Sequence, residues 1–218
     1  MGRLDGKVSI VTGAGSSGPG VGTGKATAIL FAREGAKVVL VDMNETAAQE
    51  TLNEITLEGG VASVYKCDVT SASDCEAMSD YAISEFGRVD ILFNNVGISG
   101  PGSTIDVEED VWDRVLDINL KSMMLTSKYV VPKMIETGGG SIINISSIVG
   151  LRSGGGSPSI PYAASKGGVI ALTKSMAVQL GRDNVRVNCI APGHIYTPMV
   201  GGKMSPEMRV KRRTAGPL

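Results

Sequence analysis

The chain has 218 residues, 21 of them basic and 22 acidic, for a formal charge of −1, and 42% of its residues are hydrophobic. That is ample for a large buried core, and too balanced for a disordered chain or for a general nucleic-acid binder, which needs a phosphate-neutralising surplus of cations. No apolar run is long enough to span a membrane, the opening MGRLDGKVSIV lacks a signal-peptide pattern, and Cys67, Cys75 and Cys189 have neither disulfide nor zinc spacing, so a cytoplasmic protein without a metal site is expected.

In chain order, six short apolar runs read as strands: Lys7–Thr12, Lys37–Asp42, Val61–Asp68, Val89–Asn94, Gly140–Ser147 and Val185–Ile190. Between them, residues 25–34, 44–57, 73–86, 108–135 and 162–181 carry apolar side chains at helical spacing. Strands that are apolar throughout and alternate with helices predict an α/β fold, a parallel sheet buried on both faces and joined by right-handed crossovers. No repeat, low-complexity tract or linker divides residues 1–218, so a single domain is expected. Ser153–Pro161 is rich in Gly, Ser and Pro and reads as a loop.

The chain holds 29 glycines, and several sit where the first strand gives way to the first helix, in TGAGSSGPGVGTGK from Thr12 to Lys25. In that context glycines allow a tight turn and a close backbone approach to a pyrophosphate, with helix N–H groups supplying donors. A P-loop does not fit: counted back from Gly24-Lys25, its first glycine falls on Pro19, and Ala26 stands where a Mg²⁺-binding hydroxyl is needed. Matched from both ends, the candidates for phosphate contact are Gly13, Ser16, Gly22, Thr23 and Gly24. Asp42 ends the second strand, where a carboxylate accepts from both hydroxyls of an adenosine ribose and repels a 2′-phosphate. Met43 and Asn44 after it offer no cation for that phosphate, so NAD is expected rather than NADP. Asp42 also reads as a helix N-cap, a place Asn44 would fill equally well.

Further along come Cys67-Asp68-Val69-Thr70, Asn94-Asn95-Val96-Gly97, Asn119, Asn144–Ser147, Tyr162-Ala163-Ala164-Ser165-Lys166 and Pro192-Gly193. Tyr162 and Lys166 are four apart at a helix start and share one face. Taken alone, such a pair reads as an ordinary surface contact. In this order, with the glycine turn and Asp42, the chain resembles the short-chain dehydrogenase/reductase family from Leu4 to about Leu218.

The resemblance implies a Rossmann-like, doubly wound, three-layer α/β/α sandwich. It implies an oxidoreductase that moves hydride between a nicotinamide cofactor and a secondary alcohol or ketone. Tyr162 would be the general acid/base, Ser147 would polarise the substrate oxygen, Lys166 would lower the Tyr162 pKa and bind ribose, and Asn119 would complete a proton relay through a held water. Asp68 and Val69 would meet the adenine, Asn95, Val96 and Gly97 would line the cofactor, and Ile195 and Thr197 would reach the carboxamide and pyrophosphate. Ser146 competes with Ser147 in register. His194 reads as pocket lining, and Trp112, Met123, Met124 and Met176 as packing or interface. Helices 108–135 and 162–181 would pair between subunits in a homodimer or homotetramer through Met123, Met124, Tyr129, Val130, Ala171, Met176 and Ala177. A dinucleotide-binding regulator without catalysis would show a broken Ser/Tyr/Lys set, and here the set is whole.

Three departures accompany the resemblance. The phosphate turn carries five extra residues, SGPGV. The stretch from Ser147 to Tyr162 is about two residues long for the family, with Gly154–Gly156 expected to bulge beside the substrate mouth. The chain stops at RRTAGPL before the family's seventh strand, so a truncated C-terminus is expected.

Overall fold

The computed structural model describes residues 2–152 and 159–201, together with 205, 207, 208 and 210. The glycines Gly154–Gly156 and the closing RRTAGPL lie outside the described residues.

Six parallel strands form one sheet: β1 (Val8–Thr12), β2 (Lys37–Asp42), β3 (Val61–Lys66), β4 (Ile91–Asn94), β5 (Gly140–Ile145) and β6 (Val185–Ile190). The helices are α1 (Thr23–Arg33), α2 (Glu45–Leu57), α3 (Ala72–Phe86), α4 (Glu109–Leu116), α5 (Ser122–Glu136), α6 (Ile160–Leu180) and the short α7 (Pro198–Gly201). The strand order is β3-β2-β1-β4-β5-β6. Alternate residues of each strand serve opposite faces. Ile10, Val39, Val41, Leu92 and Ile142 pack with Met78 and Ala82 of α3 and Val130 and Met134 of α5. Val11, Val38, Leu40 and Phe93 pack with Ala28 and Ala32 of α1 and with Ala48 and Ile55 of α2. This is the doubly wound Rossmann-like sandwich, and its apolar strands follow from burial on both faces.

The order reverses between β1 and β4, so their crossovers leave on opposite sides and open a crevice at the carboxyl ends. Thr12, Asp42 and Asn94 all end strands at that edge.

The structure corrects three expectations. The helix expected over 108–135 is not continuous: a π-helical turn, Asp117–Lys121, separates α4 from α5. Ser147 and Asp68 stand just beyond β5 and β3 rather than within them. Met123 and Val130 are wholly buried within the chain and so cannot meet a partner, whereas Met176 and Ala177 are half-buried against the core.

Candidate active site

A cavity of 480 Å³ fills the crevice, and every residue expected to face a cofactor from Gly13 to Gly97 lines it: Gly13, Ser16, Gly22, Thr23, Gly24, Asp42, Met43, Asp68, Val69, Asn95, Val96 and Gly97. Gly13 turns the chain with φ +65°, a conformation that disfavours a side chain. A Cβ on Gly24 would overlap the Gly13 carbonyl, so only glycine lets α1 start this close to β1. The capped helices show what α1 lacks. Asn44 accepts from the Ala47 N–H of α2, and Ser71 from the Asp74 N–H of α3. Gly22, at the same position before α1, has no capping side chain. The first-turn amides of α1 are therefore left to a ligand at the cavity wall.

The polar side chains around the turn brace it. Ser16 Oγ accepts from Gly22 N at 2.9 Å, and Thr23 Oγ1 donates to Asn95 Oδ1 at 2.6 Å. Asn95 Nδ2 donates to the carbonyls of Thr12 and Gly13, both at 3.3 Å. Asp42 accepts from Gly15 N and from Asn44 N, each at 2.9 Å, and leaves the helix cap to Asn44. Asp68 Oδ1 accepts from the N–H and hydroxyl of Thr70. Among the described lining residues, Arg114 is the one cation against the carboxylates of Asp42 and Asp68.

A second cavity of 320 Å³ shares Thr23, Asn95, Gly97, Thr197 and Met199 with the first and adds Ser147, Tyr162, Lys166, His194 and Ile195. Ser147 caps the 3₁₀ turn Ile148–Gly150, accepting from Val149 N at 3.4 Å. That turn lies so tightly on α6 that a Cβ on Gly150 would stand 2.6 Å from the Lys166 carbonyl carbon. Ser147 lines the same cavity as Tyr162, and its hydroxyl pulls the phenol down from where burial alone would leave it. Its neighbour Ser146 also lines this cavity but is buried, with its hydroxyl donating to the Lys166 carbonyl at 2.7 Å. Tyr162 and Lys166 open α6 on one face, with the ammonium 5.7 Å from the ring centroid.

Two features bear on the roles that the resemblance implies. Burial pushes the Tyr162 phenol above its ordinary 10.0, and the Ser147 hydrogen bond offsets this only in part. The Lys166 ammonium is itself lowered by burial, to about 8, and its Nζ donates to the Ile145 carbonyl at 2.8 Å. Asn119, at the centre of the π turn, spends its side chain on the protein. Its Oδ1 accepts from Ile98 N at 2.7 Å, and its Nδ2 donates to Ile98 O at 2.9 Å and to Ser165 Oγ at 3.0 Å. The amide fastens the loop after β4 to α6, one residue from Lys166.

The model of the short-chain dehydrogenase family matches residues 7–207. The chain belongs to the short-chain dehydrogenase/reductase family. A solved short-chain dehydrogenase/reductase from Burkholderia xenovorans superposes with a TM-score of 0.94 at 41% identity, over 100% of this chain and 84% of the other. A 7α-hydroxysteroid dehydrogenase solved with NADH and 7-oxo glycochenodeoxycholic acid gives 0.88 at 41% identity, over 96% of this chain and 79% of the other. A cyclohexanol dehydrogenase from an Acinetobacter species is 38% identical over 99% of this chain and 83% of its own length.

In this short-chain dehydrogenase/reductase the cavity is also walled by residues that sequence patterns did not single out. Ser17, Arg114, Ile118 and Met199 line the larger cavity. Arg114 and Ile118 are four apart at the end of α4 and in the π turn, a spacing that gives them one face without saying which cavity that face meets. Among the described residues, no helix is long and apolar enough to cross a membrane, and no three His, Cys, Asp or Glu side chains form a metal-binding group.

Proposed function

We propose that this protein is an NAD(H)-dependent dehydrogenase interconverting a secondary alcohol and a ketone. One observation carries the reading: Ser147, Tyr162 and Lys166 line one cavity, and that cavity abuts the glycine-lined crevice. The crevice suits a dinucleotide. Its volume falls within the range of small-molecule sites, and the uncapped start of α1 matches a pyrophosphate. Asp42 would take the adenosine ribose hydroxyls, since a carboxylate that already accepts from Gly15 and Asn44 retains lone pairs. With two carboxylates against Arg114, the lining disfavours the extra phosphate of NADP. The structure of the related hydroxysteroid dehydrogenase with NADH supports the same cofactor, and the cyclohexanol dehydrogenase supports an alicyclic or similar secondary alcohol.

A nicotinamide cofactor, when bound, supplies the two-electron redox chemistry that no side chain carries. The protein handles the proton. In the reducing direction the Tyr162 phenol gives its proton to the substrate carbonyl oxygen while Ser147 donates a hydrogen bond to the same atom, and in the oxidising direction Tyr162 takes the proton back. Lys166, when charged, favours the phenolate. Asn119 positions the Ile98 loop and α6 around them. The three free cysteines fit a reducing cytoplasm.

The test is turnover of NAD⁺ and NADP⁺ across a panel of secondary alcohols, with Tyr162→Phe as control. NAD⁺-linked oxidation is expected, with Tyr162→Phe losing it while still binding NADH. A variant retaining more than about a tenth of the parent kcat/KM overturns the assignment of the proton to Tyr162.

A further inference from the structure

The five extra residues of the phosphate turn, Ser17–Val21, have a place in the structure that the glycine pattern does not require. Gly18 and Gly20 do not line the cavity; they lie against Pro198, the first residue of α7. A Cβ on Gly18 would stand 3.7 Å from Pro198 Cβ, and one on Gly20 would stand 3.5 Å from Pro198 Cγ. Both are ordinary van der Waals distances, so the turn packs against the proline ring without crowding it, and it is the φ of +112° at Gly20 that calls for glycine there. At either end of this contact the walls belong to the cavity. Ser17 lines it beside Gly22 and Thr23, and Thr197, Pro198 and Met199 line it from the segment after β6. Two segments far apart in sequence therefore meet across the phosphate end of the crevice, beside the uncapped start of α1.

We propose that Ser17–Val21 and Pro198 form a clasp over the phosphate end of the cavity, and that the inserted stretch sets how long a dinucleotide stays bound. The proposal rests on the reading of this cavity as the NAD(H) site. A dinucleotide lying along Gly22–Gly24 passes beneath the meeting point of the two segments, so its release requires Gly20 to part from Pro198. The contact is apolar and between backbone and ring, with no ion pair to break, which suits an element that must open in every catalytic cycle. A turn without the insert would hold the phosphates by the same α1 amides and leave that end of the crevice open.

Three variants test this: deletion of Ser17–Val21, which joins Ser16 to Gly22 and leaves TGAGSGTGK; Pro198→Gly; and the two combined. NADH is loaded onto each protein, and its dissociation into excess ADP-ribose is followed by stopped-flow fluorescence. Each single change is expected to speed dissociation by about tenfold or more, because affinity changes at one site fall mainly on the off-rate. The combined variant is expected to be no faster than the faster single one, because both open the same contact. Dissociation within about twofold of the parent in Pro198→Gly, or a combined effect equal to the product of the two, overturns the clasp. Should the deletion abolish NADH binding, the Pro198→Gly rate decides by the same criterion. A parent chain that binds no NADH overturns the cofactor reading beneath the proposal, an outcome distinct from an unchanged off-rate.

Discussion

Lys166 Nζ donates to the carbonyl oxygen of Ile145 at 2.8 Å, at the end of β5, in the cavity that Ser147 and Tyr162 also line. The bond holds the ammonium at the floor of the smaller cavity, where burial brings it to about 8. The Tyr162 phenol is raised by burial, so it stays protonated through neutral pH.

The pH dependence follows from those directions. A raised phenol is a ready acid and a scarce base near pH 7. Ketone reduction is expected to be already fast there and not to climb with pH, whereas alcohol oxidation climbs with pH and does not level off before the ordinary phenol value of 10.0, because the phenol is raised above it. Profiles of kcat/KM in both directions check this, and a reduction rate that rises with pH contradicts it. Lys166→Met removes the group that titrates near 8 and should slow both directions.

Asp42→Ala should change cofactor preference. The carboxylate that would repel a 2′-phosphate is lost, and so is the acceptor for the Gly15 N–H. NAD⁺ turnover should fall, and the ratio of kcat/KM for NADP⁺ over NAD⁺ should rise by about tenfold, further with Met43→Arg, which adds a bidentate phosphate partner. A parent enzyme already favouring NADP⁺ would refute the argument from Asp42.

Gly24→Ala tests the close approach of α1 to β1. In an open helix Ala gains about 0.5–1 kcal/mol over Gly. Here its Cβ meets the Gly13 carbonyl and stands 2.7 Å from Asn95 Nδ2. Overpacking of this kind costs about 1–3 kcal/mol, so the overlap wins. Lower urea stability together with weaker NADH binding is expected, and a more stable variant would show that the turn yields easily.

The strands were legible because both faces of the sheet are buried, which makes runs such as KVVLVD apolar throughout. The glycine turn was legible in kind but not in detail: the sequence shows too many glycines, and only contacts separate Gly24, which must clear the Gly13 carbonyl, from Gly20, which meets Pro198. The π turn was not legible, because widening one turn leaves the apolar spacing of 108–135 nearly unchanged. Asn119 was recognisable as a site residue, but its partners, the Ile98 backbone and Ser165, are distant in sequence. The pKa directions of Tyr162 and Lys166 depend on burial, which a helical spacing of four does not report.

Asp90 is expected to matter for stability far from the active site. Its side chain is 7% exposed and accepts from Val8 N at 2.9 Å, from Arg88 and from Lys7, joining the starts of β1 and β4. Burial alone would raise its carboxyl, but these bonds together hold it below the ordinary 3.8. A depressed carboxyl stabilises the fold above its unfolded-state value, and that contribution disappears as pH falls through the folded value. Asp90→Ala should therefore cost about 2 kcal/mol at neutral pH and progressively less in acid. Urea midpoints at pH 7 and near pH 3 measure both, and a cost independent of pH would contradict the sign.

The last prediction concerns a second copy of the chain. Leu116, Leu120, Met124, Gly168 and Leu172 line an apolar groove between the π turn and α6, with Met124 41% exposed. Leu120 packs onto Gly168, where a Cβ would stand 2.7 Å from Leu120 Cδ2, so the two helices run close and leave a shallow apolar face. Farther along α6, Val178 is 85% exposed. Of the residues the sequence pointed to, Met124 and Ala171 are exposed and Tyr129, Met176 and Ala177 are half-buried, while Met123 and Val130 are buried in the core. An apolar face on paired helices suits a two-fold, self-complementary contact. The protein is expected to be at least a dimer at micromolar concentration. Leu172→Glu places a charge in the groove and should weaken that contact while leaving far-UV circular dichroism unchanged. Light scattering coupled to size-exclusion chromatography reads both. If the parent is a tetramer, Leu172→Glu should leave a dimer held by a second two-fold surface. A monomeric parent chain, or a Leu172→Glu variant of unchanged mass, would remove the groove from the assembly.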